Sequence, residues 1–520
     1  MQPTAEQTSK RWWTLAVMAV CLLTLGLDVT VLNVTLPTLV RDLDASTTQL
    51  QWMIDAYLLA FGGLLLTMGT LGDRFGRRRF LLGALAVFLV GSLMCVLAET
   101  ATNLIVARAV QGVGASAIVP LTLAMLPVIF PVEQERTKAI AIWAAAMALG
   151  LPLGPIVAGV LLEYFWWGSV FLINVPMVAV ALVSAAALLP ESRDPASPRI
   201  DVLGGALSVV GLGMLLFGII TGPTNGWSDP FVLASIAVGI VLLVVFVLRE
   251  ARAEQPMLDL ALFRNPRFTW AIAAVMLTVF GLTGLMFTLT QYLQFILGYS
   301  ALKAGMCLLL LVFPLAITAN SSARIVERTG AKALITAGLV VTAAGMALFS
   351  MVEIESTFAL AAWSLAIIGA GLGMTMAQAT NCVMGAIPVA RAGRGSAVLA
   401  TMRQLGASMG VAILGSVLAT AYVNRLGDAA SALPDAVRQR AEDSVGTALQ
   451  VADQMGAQGE GLALAARSAF VEAMSIDLLI GAVVALVGAV VVFARLPAYA
   501  EGRALGERQP SSAATEVSPG

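Results

Sequence analysis

TLGDRFGRRR, residues 70–79, is a charged turn between two apolar stretches, 49–70 and 80–98, and RIVERTGAK, residues 324–332, follows a later apolar stretch in the same way. The two share an acid–Arg–x–Gly core, Asp73-Arg74-Phe75-Gly76 against Glu327-Arg328-Thr329-Gly330, 254 residues apart. One charged turn is compatible with many folds. The same turn met twice, each time after the second apolar stretch of a block, sets a long repeat. About fourteen apolar stretches can be counted, from 12–36 at the start to 474–495 at the end. Each is long enough to cross a bilayer as a helix that satisfies its own backbone. If the seventh and eighth are set aside, the echo divides the chain into six, two and six. The expectation is an all-α polytopic membrane protein of 14 transmembrane helices built from two related halves.

Composition agrees. The chain has 520 residues, 59% hydrophobic and only 12% charged, against roughly a quarter charged in a soluble domain. That much apolar surface cannot be hidden in one globular core, so its solvent is lipid. A net charge of −1 gives nucleic acid nothing to bind. Cys21, Cys95, Cys307 and Cys382 lie inside apolar stretches without metal-ligand spacing and read as small core residues. No nucleophile–base pair, metal cluster or phosphate loop is visible, so neither enzymatic activity nor a cofactor is expected. Histidine is absent, so proton handling falls to carboxylates.

Alternating the loops places Arg74, Arg77, Arg78, Arg79, Arg136 and Lys138 on one face together with both termini. By the positive-inside rule that face is cytoplasmic. The domain plan is then a cytoplasmic N-terminus (1–11), a six-helix bundle (12–190), a two-helix insert with its linkers (191–267), a second six-helix bundle (268–495) and a disordered tail (496–520). The external loop 426–473 carries seven acidic and three basic residues. It reads as one or two amphipathic helices capping the outer mouth.

Five motifs taken together resemble the major facilitator superfamily, and within it the 14-helix drug:proton antiporters of the quaternary-ammonium and multidrug efflux type. GTLGDRFGRRRFL (69–81) is similar to the superfamily's loop 2–3 motif and LDVTVLNVTLP (27–37) to the first-helix motif of drug exporters. LIVARAVQGVGAS (104–116) is similar to the fourth-helix motif, GLPLGPIVAG (150–159) to the antiporter motif of helix 5, and FLINVP (171–176) to a further family signature. The resemblance implies proton-driven efflux of amphipathic drugs across a bacterial cytoplasmic membrane, by a monomer whose partners are the drug, protons and the bilayer. It also implies that Gly69, Asp73, Arg74, Gly76, Arg77 and Arg78 form a cytoplasmic latch holding the halves together in the outward-open state. Topology alone would explain those arginines, but not Asp73 or the glycine spacing. Gly150, Gly154, Pro155 and Gly159 would form the antiporter contact, the glycines roughly on one side of helix 5, where small residues let helices pack closely. Export of one endogenous antibiotic, or proton-coupled uptake, are the other readings of the same sequence.

Three buried charges remain. At about 1.5 Å per residue, Asp28 lies roughly 13 Å below the outer end of its helix, Asp55 about 9 Å and Arg108 about 10 Å. They are expected to share one aqueous cavity as the proton-coupling and substrate site, because an unpaired charge in the membrane costs at least about 2.5 to 3.5 kcal/mol. A fixed helix-to-helix ion pair is the plainer reading of Asp28, and headgroup contact that of Asp55. The second half is expected to supply no counterpart acid. Trp52, Tyr57, Trp143, Phe287, Tyr292 and Phe295 are candidates for a drug-lining aromatic wall.

Overall fold

A computed structural model describes residues 5–193, 201–253, 256–387, 392–431 and 433–498. From residue 499 on, the expected tail lies outside them. Among the described residues there is no strand, and fourteen helices are long and apolar enough to cross a membrane. Spans 1 to 6 are Lys10–Leu43, Thr47–Phe75, Arg77–Val96, Ala101–Ile129, Glu133–Tyr164 and Ser169–Leu188. Spans 7 and 8 are Val202–Asn225 and Pro230–Glu250. Spans 9 to 14 are Pro266–Ile296, Ala301–Thr329, Ala331–Phe349, Phe358–Gly385, Gly395–Gly427 and Gly456–Arg495. An even number of crossings puts both termini on one side, called here the terminal face.

Local chemistry sets the breaks. Ser46 and Gln49 cap span 2 reciprocally, Gln49 N donating to Ser46 Oγ and Ser46 N to Gln49 Oε1. At its other end Gly76 takes φ +110°, and the matching Gly330 between spans 10 and 11 takes φ +78°. Side-chain-bearing residues rarely adopt this conformation, so both copies of the charged turn need their glycine. The repeat extends to packing. Thr30 of span 1 donates to Leu151 O of span 5 at 3.1 Å, and Thr283 of span 9 donates to Ala407 O of span 13 at 2.9 Å.

Span 1 lies so close to span 5 that a Cβ on Gly150 would stand 2.7 Å from Leu23 O and 2.8 Å from the Gly26 backbone. Backbone cannot step aside as a flexible side chain can. Gly150→Leu is therefore expected to cost at least the roughly 1 to 3 kcal/mol of an overpacked core. It should appear as a lower unfolding temperature of the purified protein, and an unchanged temperature would contradict this packing.

The insert seals a flank. Span 7 packs along span 2, where Cβ atoms on Gly63 and Gly205 would meet Val209 and Thr67, and Ser416 of span 13 donates to Ile219 O. Span 8 lies outside span 7, with Val241, Val244 and Val247 exposed. An apolar outer surface of this kind suits lipid and not water.

The two halves meet away from the terminal face. Between spans 1–6 and the chain beyond span 8, the hydrogen bonds of the described residues are Gln51 to Val411 O, Ala412 O and Ser416, Ser408 to Asp55, Gln294 to Val34 O, Thr47 to Asp443 O, Arg440 to Asp44, and Gln450 to Arg41 O. All lie in the half of the molecule opposite the terminal face. Toward the terminal face the halves part: between 133 and 149 span 5 buries only Ala139, and between 312 and 329 span 10 buries only Ser322. The structure is thus closed at the opposite face and open at the terminal face.

The loop expected over 426–473 is mostly helix. Spans 13 and 14 continue past the apolar stretches, and between them lie two short helices, Asp435–Asp443 and Val445–Gln454. Arg440 reaches Asp44 at 3.0 Å and Thr47 reaches the carbonyl of Asp443 at 2.8 Å, so the cap is tied to the first half. Burial raises the Asp443 carboxyl above its usual range, with Arg440 opposing. Docking is therefore favoured in acid and loses that contribution as pH rises and the carboxyl ionises.

Candidate functional site

Gly26 and Thr30 turn toward span 5. Asp28 lies two residues from each, about 200° around the helix, and so faces the other way. There its Oδ2 accepts from Arg108 Nη1 of span 4 at 2.8 Å, while its Oδ1 accepts from Gln111 Nε2 at 2.8 Å and from Asn174 Nδ2 of span 6 at 2.7 Å. Gln111 stands three residues after Arg108 on the same helix face. It also donates to Ser92 and accepts from Arg108 at 2.6 Å. Arg108 further donates to Met53 O and lies over the Tyr57 ring, its guanidinium carbon 4.2 Å from the centroid, with Phe171 at 5.8 Å. Asp28, Arg108, Gln111 and Asn174 are each at most 1% exposed. A charged carboxylate and a guanidinium survive here because each has its opposite charge and further hydrogen bonds in place.

The expected trio is therefore a pair and an outsider. Asp28 and Arg108 meet, but Asp55 does not join them. Met53 of span 2 faces Arg108, whereas Asp55, two residues on, points to the other half of the molecule. Its Oδ1 accepts from Ser408 of span 13 at 2.8 Å, and its buried Oδ2 has no partner. Equal depth did not mean equal direction.

The charged turn is tied within the first half. Arg77 pairs with Asp73 at 2.7 Å and donates to Ala124 O. Arg78 meets Ala186 O and, through its backbone, Glu191, which also pairs with Arg79. Gly72 lets span 2 close on Leu121, and Gly69 lies against Pro120. Arg74 is exposed beside Phe75. With the terminal face open, these bonds join the turn to spans 4 and 6.

Helix 5's small residues split between two partners. Gly150 and Gly154 face span 1, whereas Gly159 and the Pro155 carbonyl face Leu302 and Gly305 of span 10. The expectation of one common side fails at the step from 154 to 159, which turns about 140°. The motif thereby joins the first half to the second.

The aromatic wall is also redistributed. Tyr57, Phe287 and Tyr292 are fully buried, Trp143 donates to Thr122, and Trp52 packs against Phe217. Phe295 lines a cavity of about 480 Å³ at the opposite face, with Arg41, Tyr299 and Asp453, remote from Asp28.

Several groups escaped the sequence reading, Gln111, one turn after Arg108, among them. Asn174 stands in FLINVP, where nothing but an amide inside an apolar run marked it. Asp477 contradicts the expected absence of an acid in the second half. It is 1% exposed in span 14 and accepts from Thr288 of span 9 at 2.8 Å. It sits three residues into the last apolar stretch and reads there as a boundary residue, but the helix begins far earlier, at Glu460.

Residues 18–411 match the family model described as Major Facilitator Superfamily. The chain is 36% identical over 489 residues to the multidrug efflux pump LfrA of Mycolicibacterium smegmatis, covering 94% of this chain and 97% of that protein. It is 31% identical over 516 residues to the tetracenomycin C resistance and export protein of Streptomyces glaucescens, covering 96% and 95%. Among solved structures it is similar in fold to a bacterial homologue of the human lysosomal transporter Spinster in an inward-facing, unoccupied conformation. That likeness has a TM-score of 0.64 at 15% identity and covers 95% of this chain and 99% of that one.

Proposed function

Because the chain belongs to the major facilitator superfamily, we propose that it exports amphipathic cationic or neutral drugs across the bacterial cytoplasmic membrane in exchange for protons, by alternating access. The terminal face, which carries the arginine-rich turns, is the cytoplasmic one. The state described above is then inward-open and takes its drug from the cytoplasmic side. What supports the coupling most is Asp28: an acid held fully buried in a membrane span by one guanidinium and two amides. Protonating it removes the charge that holds Arg108 and loosens the link between spans 1, 4 and 6. Its exposure to outside water comes when the opposite face opens. Asp55 is the gate partner, because its bond to Ser408 crosses the seam that must part in that step. Protons arriving from outside thus favour drug release there, and their loss to the cytoplasm restores the binding state.

Inside-out membrane vesicles test this. Those containing the protein are expected to accumulate ethidium when respiration energises them, and to lose it on adding a protonophore. Accumulation in right-side-out vesicles instead would mean uptake, and accumulation indifferent to the protonophore would sink proton coupling. Dedicated export of one antibiotic is the second reading, favoured by the relative named for tetracenomycin C export.

A further inference from the structure

The N-terminal half holds its acid on span 1, where an amide from span 6 meets it. In the repeat, spans 9 and 14 occupy the places of spans 1 and 6, and there the roles are reversed. The acid, Asp477, is on span 14, and its one hydrogen-bond partner among the described residues is the Thr288 hydroxyl of span 9. Its Oδ1 is buried without any partner. One hydroxyl does not repay the desolvation of a carboxylate, which costs several kcal/mol, and apolar side chains would pack there more cheaply.

Among the described residues the surroundings contain no counter-charge. Of the neighbouring helices, span 13 carries Arg425, which pairs with Glu472 of span 14 at 2.9 Å, and Tyr422, which donates to Ala441 O. Arg403 of the same helix and Lys332 of span 11 lie toward the terminal face, Lys332 over the Phe493 ring. Span 9 carries Tyr292, one turn beyond Thr288 on the same face. Its hydroxyl is likewise buried without a partner. At Tyr292 the helix also changes register, becoming π-helical over Tyr292–Ile296. Such bulges recur at functional sites and allow a segment to shift by a residue.

We propose that Asp477 is a proton-binding site of the second half, carrying its proton on the carboxyl while spans 9 and 14 are packed as here. The proton is released to water on the terminal face when a register shift at the π-helical turn parts this seam, and it is regained from water on the opposite face once the carrier has turned outward, before the seam packs again. No other group changes its charge in the step. This rests on the reading of the chain as a proton-coupled carrier, but its first test does not.

Infrared spectra of the full-length protein in lipid at neutral pH should contain a protonated-carboxyl C=O band that vanishes in Asp477→Asn. If that variant fails to fold, Thr288→Val keeps the acid and should move the same band to higher frequency, because its hydrogen bond is gone. A spectrum unchanged by both substitutions would mean that Asp477 is ionised and would overturn the proposal. In proteoliposomes, Asp477→Asn should move one proton fewer per ethidium than the wild type, and Asp477→Glu should restore the ratio. A band that disappears while the ratio stays the same would mean a fixed, structural proton, which also overturns the proposal. Failure of ethidium transport in the wild type would instead overturn the export reading and leave the infrared result standing.

Discussion

Arg108→Ala is expected to be the most destabilising single substitution in the first half, at about 3 to 5 kcal/mol, the cost of leaving one partner of a buried ion pair behind. Asp28 would keep Gln111 and Asn174 as donors but lose the guanidinium it pairs with. The variant also empties the space beneath Tyr57, over which the guanidinium lies at 4.2 Å, forfeiting a cation–π contact of about 0.5 to 2 kcal/mol. Thermal unfolding in detergent would read the loss. Adding Asp28→Asn to the variant removes the stranded charge, so the double variant should recover part of that stability. Strict additivity of the two effects would mean that the pair is not coupled.

Asp28→Asn alone also strands a buried charge, the Arg108 guanidinium, and so should cost stability too. The cost should be less than that of Arg108→Ala, because more of the guanidinium's contacts survive, and the effect on function should be severe. Arg108 keeps Gln111 Oε1, Met53 O and the Tyr57 face, and an asparagine oxygen can still accept from Asn174 or Gln111. The variant is expected to insert, to unfold below the wild-type temperature but above that of Arg108→Ala, and to bind ethidium from the terminal side. Accumulation in energised inside-out vesicles should fall to background, because the side chain can no longer exchange a proton. Full accumulation would return Asp28 to the plainer reading of a fixed strut between helices. Comparing the two variants separates the ion pair's structural worth from its use in coupling.

The sequence by itself determined the number of spans, the six–two–six plan and the two copies of the charged turn. These depend on run length and on residues adjacent in the chain, such as Gly76 and Gly330, whose positive φ only glycine tolerates well. It also marked Asp28 and Arg108 as expensive in lipid and placed them at one depth. Direction was a different matter. Depth follows from counting residues along a helix, but a side chain's partner follows from how that helix is rotated and which neighbour it touches. Only the tertiary structure therefore sent Asp55 across the seam to Ser408, turned Gly159 to span 10, and brought Gln111 and Asn174 onto Asp28. It likewise showed Asp477 to be buried, because the helix that carries it extends well beyond its apolar stretch and is covered there by span 9. Charges in a membrane are legible as a cost in sequence, whereas the contacts that justify the cost come from packing between distant parts of the chain.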